Sequence, residues 1–234
     1  MSNNNKTDLT TVVYQQLKKE IITGKRMPGS IFNEKEFAEQ MGISRTPVRE
    51  AVLKLSGEGL FIVMPRRGTM VSHISMNNII QLYEVRKIIE PQIALIASKK
   101  ADKNLLEEWI IFFESQKKAP YNINEDFKLP GDKSLGVYPD PDAIFHIFIA
   151  ESTGNDFLIR QVNELMTLTQ RIRCISNKVK EDRYIKSINE HINIAKAIIS
   201  DDGSSERAVL THLENSEKGY LHINSTDYSN IISL

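Results

Sequence analysis

Residues 42–71 read GISRTPVREAVLKLSGEGLFIVMPRRGTMV, and this stretch decides the fold of the first part of the chain. Thr46 is a good N-cap residue, because its hydroxyl can accept a free amide hydrogen of the first helical turn. Pro47 suits the first helical position, where its missing N–H costs nothing. The pattern therefore predicts a short helix that begins at this pair, with Arg45 and Arg49 projecting from its amino end.

The flanking sequence completes a DNA-reading fold. Residues 8–26 and 33–44 carry apolar side chains at helical spacing, and Asn33 and Gly42 suit the start and the end of the second helix. Two helices joined by a tight turn with glycine form a helix-turn-helix. Two short apolar runs around PRRG, residues 65–68, predict a β-hairpin with a basic tip. Three helices and this hairpin make a winged helix-turn-helix.

The basic side chains of this fold have separate expected roles. An arginine at the amino end of a recognition helix can bind guanine O6 and N7 in the major groove, as expected of Arg45 and Arg49. Thr46 and the free amides beside it suit a phosphate. Arg66 and Arg67 would follow the adjacent backbone or the minor groove. The alternative is a solvated basic helix end on a winged helix that binds protein, but four features that agree on one face favour double-stranded DNA.

Charge and composition indicate a chain of two parts. The 234 residues carry no net charge, yet residues 1–74 hold 11 Lys and Arg against 7 Asp and Glu, a net of +4, which leaves −4 for residues 75–234. A basic piece followed by an acidic piece indicates that the first meets a polyanion, although so modest an excess also arises by chance.

Other features bear on where the protein acts. No apolar run approaches the roughly 18 residues that span a bilayer, and the first ten residues lack the apolar segment of a secretory signal. A single cysteine, Cys174, excludes an internal disulfide and suits a reducing compartment. The sequence therefore predicts a cytoplasmic protein without a membrane partner.

The stretch ISRTPVREAVLKLSGEGLFIVMPRRGTMV resembles the amino-terminal domain of GntR-family bacterial transcription regulators. Their pattern joins Ser-Arg-Thr-Pro-Val-Arg-Glu-Ala to a Gly-Leu pair and a wing that ends Arg-Gly-x-x-Val, and the match covers most of residues 9–72. It departs at residues 26–40, where the family usually has Leu-Pro-Ser-Glu and where Lys35 replaces an arginine that commonly contacts the DNA backbone. The DNA-binding residues expected are Lys35, Arg45, Thr46, Arg49, Arg66, Arg67 and Gly68.

Beyond residue 75 the chain reads as almost wholly helical. Apolar side chains recur at helical spacing over residues 76–101, 102–118, 142–153, 155–177, 182–200 and 204–223. Pro91 is expected to bend the first of these helices. Residues 119–141 contain four prolines and two glycines, and so long an irregular connection is typical of a lid or of a disordered segment. The fold class predicted is mostly α, with the winged helix-turn-helix joined to an all-α helical bundle.

Four side chains of the second part are of metal-ligating types. Asp142 and His146 are four residues apart and so share a helix face, while His191 and His212 follow on two later helices. One carboxylate and three imidazoles from three helices can converge on a divalent metal inside a bundle. The alternatives are that Asp142 favours the positive end of its helix, that His146 is a hydrogen-bonded core histidine, and that the other two histidines lie on the surface.

The second part resembles the FadR carboxy-terminal (FCD) class of GntR regulators, an all-helical ligand sensor. Its metal-binding members show Asp-x-x-x-His, then Glu-His, then His-Leu, which here are DAIFH at 142–146, EH at 190–191 and HL at 212–213. The small-Gly-Asn turn of the family matches ESTGN at 151–155. The metal ligands that the resemblance implies are Asp142, His146, His191 and His212. The ion it implies is zinc, nickel or manganese.

Arg86 matches an arginine that many members of the class direct toward the ligand pocket. A forked guanidinium suits a carboxylate effector whose other oxygens bind the metal. The alternative is an i,i+4 pair with Glu90 on the helix surface.

The sequence as a whole predicts a ligand-responsive transcription regulator that is not an enzyme. Regulators of this type bind palindromic operators as homodimers, and the helical domain, residues 75–234, is expected to form the dimer. Two alternatives remain open. One is an acyl-CoA sensor without a metal, and the other is a metallohydrolase in which the four ligands activate a water molecule.

Overall fold

The computed structural model of the chain describes residues 3–117, 129–132, 140–176 and 181–221. They divide into two compact units, one that ends at Ser75 and one that begins at Met76. None of the helices in these ranges is long and apolar enough to cross a membrane.

The described residues of the first unit form three helices and a small antiparallel sheet. The helices are α1 (Asn3–Ile22), α2 (Glu34–Met41) and α3 (Arg45–Gly57), and the strands are β1 (Ile31–Phe32), β2 (Phe61–Met64) and β3 (Gly68–Val71). The strands lie in the order β1-β3-β2. Helices and sheet enclose a core of buried apolar side chains that includes Val13, Leu17, Phe37, Val48, Leu55 and Phe61. The predicted winged helix-turn-helix is confirmed.

The turn between α2 and α3 follows its sequence signals. The side-chain oxygen of Asn33 accepts hydrogen bonds from the amides of Lys35 and Glu36 at 3.0 and 3.2 Å, which caps the start of α2. Gly42 ends the helix in the left-handed conformation, with φ of 66°, which glycine adopts without a steric penalty. The caps predicted for both ends of α2 are confirmed.

The predicted start of α3 is wrong by two residues. The N-cap is Ser44, whose backbone is extended at φ −72° and ψ 160°, and Arg45 and Thr46 are the first two helical residues. Pro47 then stands at the third helical position, where an amide still has no intrahelical acceptor, so the ring is tolerated there as well as at the first position. Thr46 is therefore not a cap, and Arg45 lies in the first turn rather than before it.

The wing is a hairpin of β2 and β3 joined by residues 65–67. Phe61 pairs with Val71 and Met64 with Gly68, so the arginines of PRRG stand at the tip, as predicted. Arg66 has a left-handed backbone with φ of 63°. Sequence reasoning missed β1, which pairs with β3 through only two residues, too few for an alternating pattern.

The second unit is all-helical in its described residues. Its helices are α4 (Met76–Ser98), α5 (Lys103–Gln116), α6 (Pro141–Ser152), α7 (Asp156–Ser176), α8 (Glu181–Ser200) and α9 (Ser204–Leu221). α4 packs along α9, α5 along α8 and α6 along α7. α4 runs without interruption through Pro91, and the proline is buried.

Most of the predicted irregular connection, residues 119–141, lies outside the described residues. Pro130–Asp132 form a short 3₁₀ segment, and Leu129 before it is buried. Pro141 is the first residue of α6, so the connection ends where a helix-starting proline is expected.

Candidate metal centre and nucleic-acid interface

Four potential metal ligands meet inside the second unit. α6 supplies Asp142 and His146, α8 supplies His191 and α9 supplies His212. One ligand atom from each of these side chains lies within 4.8 Å of the ligand atoms of the others. This spread is somewhat wider than that of atoms around a shared ion, since ligands at about 2 Å from a metal are themselves roughly 3–4 Å apart, so the side chains would have to move closer to share one ion.

The start of α6 sets the direction of its two ligands. Asp140 is the N-cap, and its carboxylate accepts a hydrogen bond from the Asp142 amide at 3.2 Å. Asp142 thus falls in the first turn and His146 one turn later on the same face. The apolar residues around His146 are themselves buried, and the histidine is 3% exposed, so its ring points into the bundle.

The three imidazoles contact one another in the bundle. Their ring centres are 4.5 Å apart for His191 and His212, 5.3 Å for His146 and His212, and 5.5 Å for His146 and His191. His191 and His212 are as deeply buried as His146. The alternative that these two histidines lie on the surface is therefore wrong.

Two of the imidazoles are hydrogen-bonded to carboxylates through Nδ1. His146 Nδ1 lies 2.6 Å from Oε2 of Glu90, and His212 Nδ1 lies 2.9 Å from Oε2 of Glu190. The other nitrogen of His146, Nε2, is buried and has no hydrogen-bond partner among the described residues. A buried nitrogen with a lone pair and no donor calls for a ligand.

His191 lies between the carboxylate of Asp142 and two phenylalanine rings. Its Nε2 lies 3.3 Å from Oδ2 of Asp142 but makes no hydrogen bond of good geometry within the described residues. The ring stacks on Phe113 at 5.0 Å and meets Phe145 edge-on at 5.6 Å. The aromatic rings shield this side of the cluster from water.

Asp142 is held by an arginine of α7. Nη2 of Arg173 donates to Oδ1 of Asp142 at 2.6 Å, and Nη1 donates to both carboxylate oxygens of Asp140. Burial alone would raise the pKa of Asp142, but the charge of Arg173 and the nearby His191 hold it well below its usual value. The carboxylate is therefore ionised, with its second oxygen, Oδ2, turned to His191.

Burial favours the neutral form of two of the histidines, while two carboxylates beside the cluster stay charged. Burial lowers the pKa of His212 to about 3 and lowers the pKa of His191 as well. Burial opposes ionisation of Glu90, yet Arg86 and His146 bring its pKa to about 2. Neutral imidazole is the form that binds metal.

The donor set fits a divalent transition metal. It offers one carboxylate oxygen and up to three imidazole nitrogens, a combination that suits zinc, nickel or manganese better than calcium or magnesium. The buried Nε2 of His146 is the observation on which this fit depends.

Arg86 does pair with Glu90, but inside the bundle rather than on the helix surface. Its Nε donates to Oε1 of Glu90 at 2.5 Å, and both side chains are buried. Within the part of the chain that the structure describes, the Nη atoms make only long contacts of 3.4 Å, to Thr169 and to the second oxygen of Glu90, and the guanidinium lies over the ring of Tyr83. The Nη side of Arg86 is thus weakly engaged.

A small cavity adjoins the cluster. It is lined by Glu90, Ile93, His146, Ile149, Val162 and Val209 and has a volume of about 10 Å³. This is space for about one water molecule, so a larger ligand must displace side chains to enter here.

The residues expected to bind DNA are all exposed in the first unit. They are Lys35, Arg45, Thr46, Arg49, Arg66, Arg67 and Gly68. Arg45 and Arg49 stand one turn apart at the start of α3, and the two wing arginines at the hairpin tip. Lys35 lies 3.7 Å from Glu39 on the surface of α2, a contact too loose to withhold it from DNA.

Sequence reasoning missed the residues behind the ligands. They are Glu90, Arg173, Arg183 and Glu190. Glu190 was visible beside His191 in the EH pair, but an i,i+4 or adjacent carboxylate is common on helices, and only the packing of α4 against α6 and of α8 against α9 turns these groups inward.

A winged helix-turn-helix joined to an all-helical sensor unit is the organisation of a DNA-binding transcription regulator. Residues 9–71 match the gntR family of bacterial regulatory proteins, and residues 81–215 match the FCD domain. The chain belongs to the GntR family and carries an FCD domain. In this family the winged unit implies DNA binding and the FCD unit implies a small-molecule effector.

Relatives and solved structures agree with this assignment. The chain is 31% identical over 214 residues to the HTH-type transcriptional regulator YdhC of Bacillus subtilis, covering 90% of each chain. It is 26% identical over 204 residues to the HTH-type transcriptional repressor RspR of Escherichia coli, covering 86% of this chain and 84% of RspR. Escherichia coli McbR/YncC has the same fold, with a TM-score of 0.71 at 19% identity over 92% of this chain and 99% of that one.

Proposed function

We propose that the FCD unit binds a divalent metal ion through Asp142, His146, His191 and His212, and that the ion anchors a small carboxylate effector. The observation that carries the proposal is the buried Nε2 of His146, which has no hydrogen-bond partner in the described part of the chain and belongs to a cluster of four ligand atoms within 4.8 Å. Zinc, nickel and manganese are the candidate ions. The regulator would act in the cytoplasm, where its DNA lies.

Charge around the cluster supports an anionic effector. Among the described residues in and behind the cluster, four carboxylates face three guanidinium groups: Asp140, Asp142, Glu90 and Glu190 against Arg86, Arg173 and Arg183. A divalent ion reverses this net charge from −1 to +1, and a buried positive charge favours a carboxylate ligand.

Arg86 can contribute to the same effector. Its Nε is committed to Glu90, whereas both Nη atoms have only long contacts and remain suited to a second carboxylate. With Zn²⁺ held saturating, the Arg86→Met, Glu90→Gln double variant should bind the carboxylate that the wild type prefers, in a panel of mono-, di- and tricarboxylates, more weakly than Glu90→Gln alone does. Unchanged affinity would remove Arg86 from the effector site.

The DNA-bound form is proposed to be a homodimer on a palindromic operator. A single α3 and wing offer few base contacts, and a two-fold dimer doubles them on two half-sites. Arg45 and Arg49 would read bases, Thr46 and Lys35 would contact phosphates, and the PRRG tip would follow the neighbouring backbone or minor groove.

Metal analysis of three proteins tests the metal proposal. The wild type should retain a stoichiometric ion and gain thermal stability from added Zn²⁺, by about 2.7 kcal/mol at a concentration 100 times the Kd. The His146→Ala, His191→Ala double variant should lose the ion, and the control His73→Ala, an exposed histidine of the first unit, should keep it. Full occupancy in the double variant would overturn the proposed centre.

The same preparations separate the alternatives. A chain that binds acyl-CoA and retains no metal would be the metal-free sensor. Metal-dependent hydrolysis of ester, amide or phosphate substrates would indicate the hydrolase. The names of the relatives are those of transcriptional regulators, and they favour neither of these activities.

A further inference from the structure

Two carboxylates stand behind the histidine cluster, each held by an arginine. Resting on the metal site proposed above, we propose that Glu90 and Glu190 are positioning residues that fix His146 and His212 in the tautomer whose Nε2 binds the ion. Arg86 and Arg183 hold the two carboxylates in place.

The contacts of Glu90 place a proton on Nδ1 of His146. Its Oε2 lies 2.6 Å from Nδ1 of His146 and its Oε1 accepts a hydrogen bond from Nε of Arg86 at 2.5 Å. An ionised carboxylate only accepts hydrogen bonds, so Nδ1 of His146 must carry the proton. Nε2, which is buried and has no hydrogen-bond partner among the described residues, presents a lone pair when the ring is neutral.

Glu190 repeats this arrangement from α8. Its Oε2 lies 2.9 Å from Nδ1 of His212, and Nη2 of Arg183 donates to the same oxygen at 2.9 Å. Its Oε1 accepts from Nη1 of Arg183 at 3.1 Å and from the side-chain Nδ2 of Asn215 at 2.9 Å. Four donors leave this carboxylate little freedom to rotate, so the ring of His212 is fixed as well.

Such outer partners contribute directly to metal affinity. A hydrogen bond from Nδ1 to a carboxylate selects the tautomer, orients the ring and makes Nε2 more basic, and loss of the partner typically costs 10–100-fold in metal affinity. Among the described residues Arg86 donates hydrogen bonds to Glu90 and Thr169 and to none of the four ligands, so we infer that its main effect on the metal passes through Glu90 and His146.

The tautomers of the metal-free wild-type protein are measured first, by NMR of the imidazole nitrogens in ¹⁵N-histidine-labelled chain. We expect His146 and His212 to carry the proton on Nδ1. A proton on Nε2 of either ring would overturn the inference for that ring. This measurement needs no metal. A wild type that binds no Zn²⁺ would therefore refute the metal centre, while the NMR result alone would still decide whether the carboxylates set the tautomers of the two rings.

Zn²⁺ affinity is then measured by competition with a chelator. Glu90→Gln and Glu190→Gln should each bind Zn²⁺ 10–100-fold more weakly than the wild type, because a single amide oxygen cannot serve both the imidazole and the arginine. The control is Glu217→Gln on α9, which removes a carboxylate that pairs with Lys87 at 2.8 Å and belongs to neither of the two carboxylate–histidine pairs. Affinity within twofold of the wild type in both cluster variants would overturn the proposal.

The role of Arg86 is tested by comparing the Zn²⁺ affinity of two variants. Arg86→Ala leaves Glu90 buried without its partner and can unfold the unit, so Arg86→Met is combined with Glu90→Gln to remove both charges together. If the arginine acts through the carboxylate, the double variant should bind Zn²⁺ as weakly as Glu90→Gln alone. A further tenfold loss in the double variant would show that Arg86 acts on the metal by another route.

Discussion

The first unit also contains a buried carboxylate, that of Glu20, which is paired with basic side chains. The carboxylate of Glu20 on α1 accepts hydrogen bonds from Nζ of Lys25 at 2.9 Å and from Nε of Arg26 at 2.6 Å. Arg26 in turn lies over the rings of Phe32 and Phe37, so the pair joins α1 to the strand and helix that follow. Glu20 therefore helps to hold Arg26 in the position that links α1 to β1 and α2.

Glu20 should make the stability of the first unit depend on pH. Burial acts to raise its pKa, but Lys25 and Arg26 bring it below the usual value. Since the pKa is lower in the folded chain than in the unfolded chain, the carboxylate contributes stability above the unfolded value and loses it as the pH falls through the folded value. Glu20→Gln should therefore lower the free energy of unfolding by about 1–2 kcal/mol at neutral pH and approach the wild type in acid.

Denaturant unfolding across this pH range is the measurement. Glu39→Gln, on the exposed surface of α2, serves as the control and should change little at any pH. A constant difference between Glu20→Gln and the wild type down to the acid limit would contradict the linkage.

The four cluster residues could be named from the sequence, two of them by local spacing and the full set through the resemblance to the FCD class. Asp142 and His146 share a helix face by spacing alone, and His146 lies in an apolar run that places its ring inside. The roles of Glu90 and Arg86 could not be predicted in this way. Their i,i+4 spacing is the same on a solvated helix as in a core, and only the packing of α4 against α6 decides between the two.

Among the secondary-structure elements, both α3 and the β2–β3 hairpin expose basic side chains, one from a helix and the other from a turn. Arg45 and Arg49 project from the first two turns of α3, and Arg66 and Arg67 lie in the hairpin turn. A rigid helix suits base recognition, whereas a hairpin tip suits the DNA backbone. The two elements should therefore respond differently to mutation.

Arg49→Ala is expected to weaken binding to the operator by about 1–3 kcal/mol and to relax the preference at one base pair. The measurement is affinity for the operator and for single-base variants at a fixed salt concentration. Lys54→Ala removes the same charge from the other end of α3 and is the control. Unchanged affinity in an Arg45→Ala, Arg49→Ala double variant would refute base reading by α3.

Arg66→Ala, by contrast, should weaken operator and random DNA alike. Loss of one phosphate contact lowers the slope of log K against log salt by about 0.9. A salt titration on both DNAs tests this. A loss confined to the operator would assign the wing a base-reading role instead.

The sequence predicted the ends of these elements correctly where side-chain types mark them. It predicted them less well where the backbone conformation or the pairing of strands sets the boundary. Asn33 and Gly42 act as the caps that their chemistry suggests. Thr46 does not, because Ser44 already adopts the extended conformation of a cap and a proline is tolerated at any position of the first turn. Strand β1 consists of two residues whose pairing with β3 depends on the fold as a whole.

At the scale of the whole molecule, the surface of the second unit carries an apolar stripe. Val85, Ile88 and Ile96 on α4 are 40–72% exposed and lie on one side of the helix by their spacing. Exposed apolar side chains that line up in this way are typical of an interaction surface. The stripe is a natural place to test the proposed homodimer.

Ile88→Asp should shift the protein from dimer toward monomer, because the buried contact would be replaced by a charge that needs water. Sedimentation of the full chain at micromolar concentration measures this. The control is Ile111→Asp on α5, where an isoleucine is equally exposed but stands apart from the stripe. A wild type that sediments as a monomer, or residues 75–234 that do so alone, would contradict the assignment of dimer formation to the helical unit.

The chain contains one tryptophan, Trp109. Its ring stacks on Phe113 at 5.4 Å, and Phe113 stacks on His191 at 5.0 Å, so the sole indole stands two rings from the cluster. The protein therefore has a built-in fluorescent reporter of what occupies its interior. Ions with unfilled d shells, such as Ni²⁺ or Mn²⁺, should quench the emission at this range, whereas Zn²⁺, whose d shell is full, should shift it without quenching. A fluorescence titration would then distinguish Zn²⁺ from Ni²⁺ or Mn²⁺ without any label.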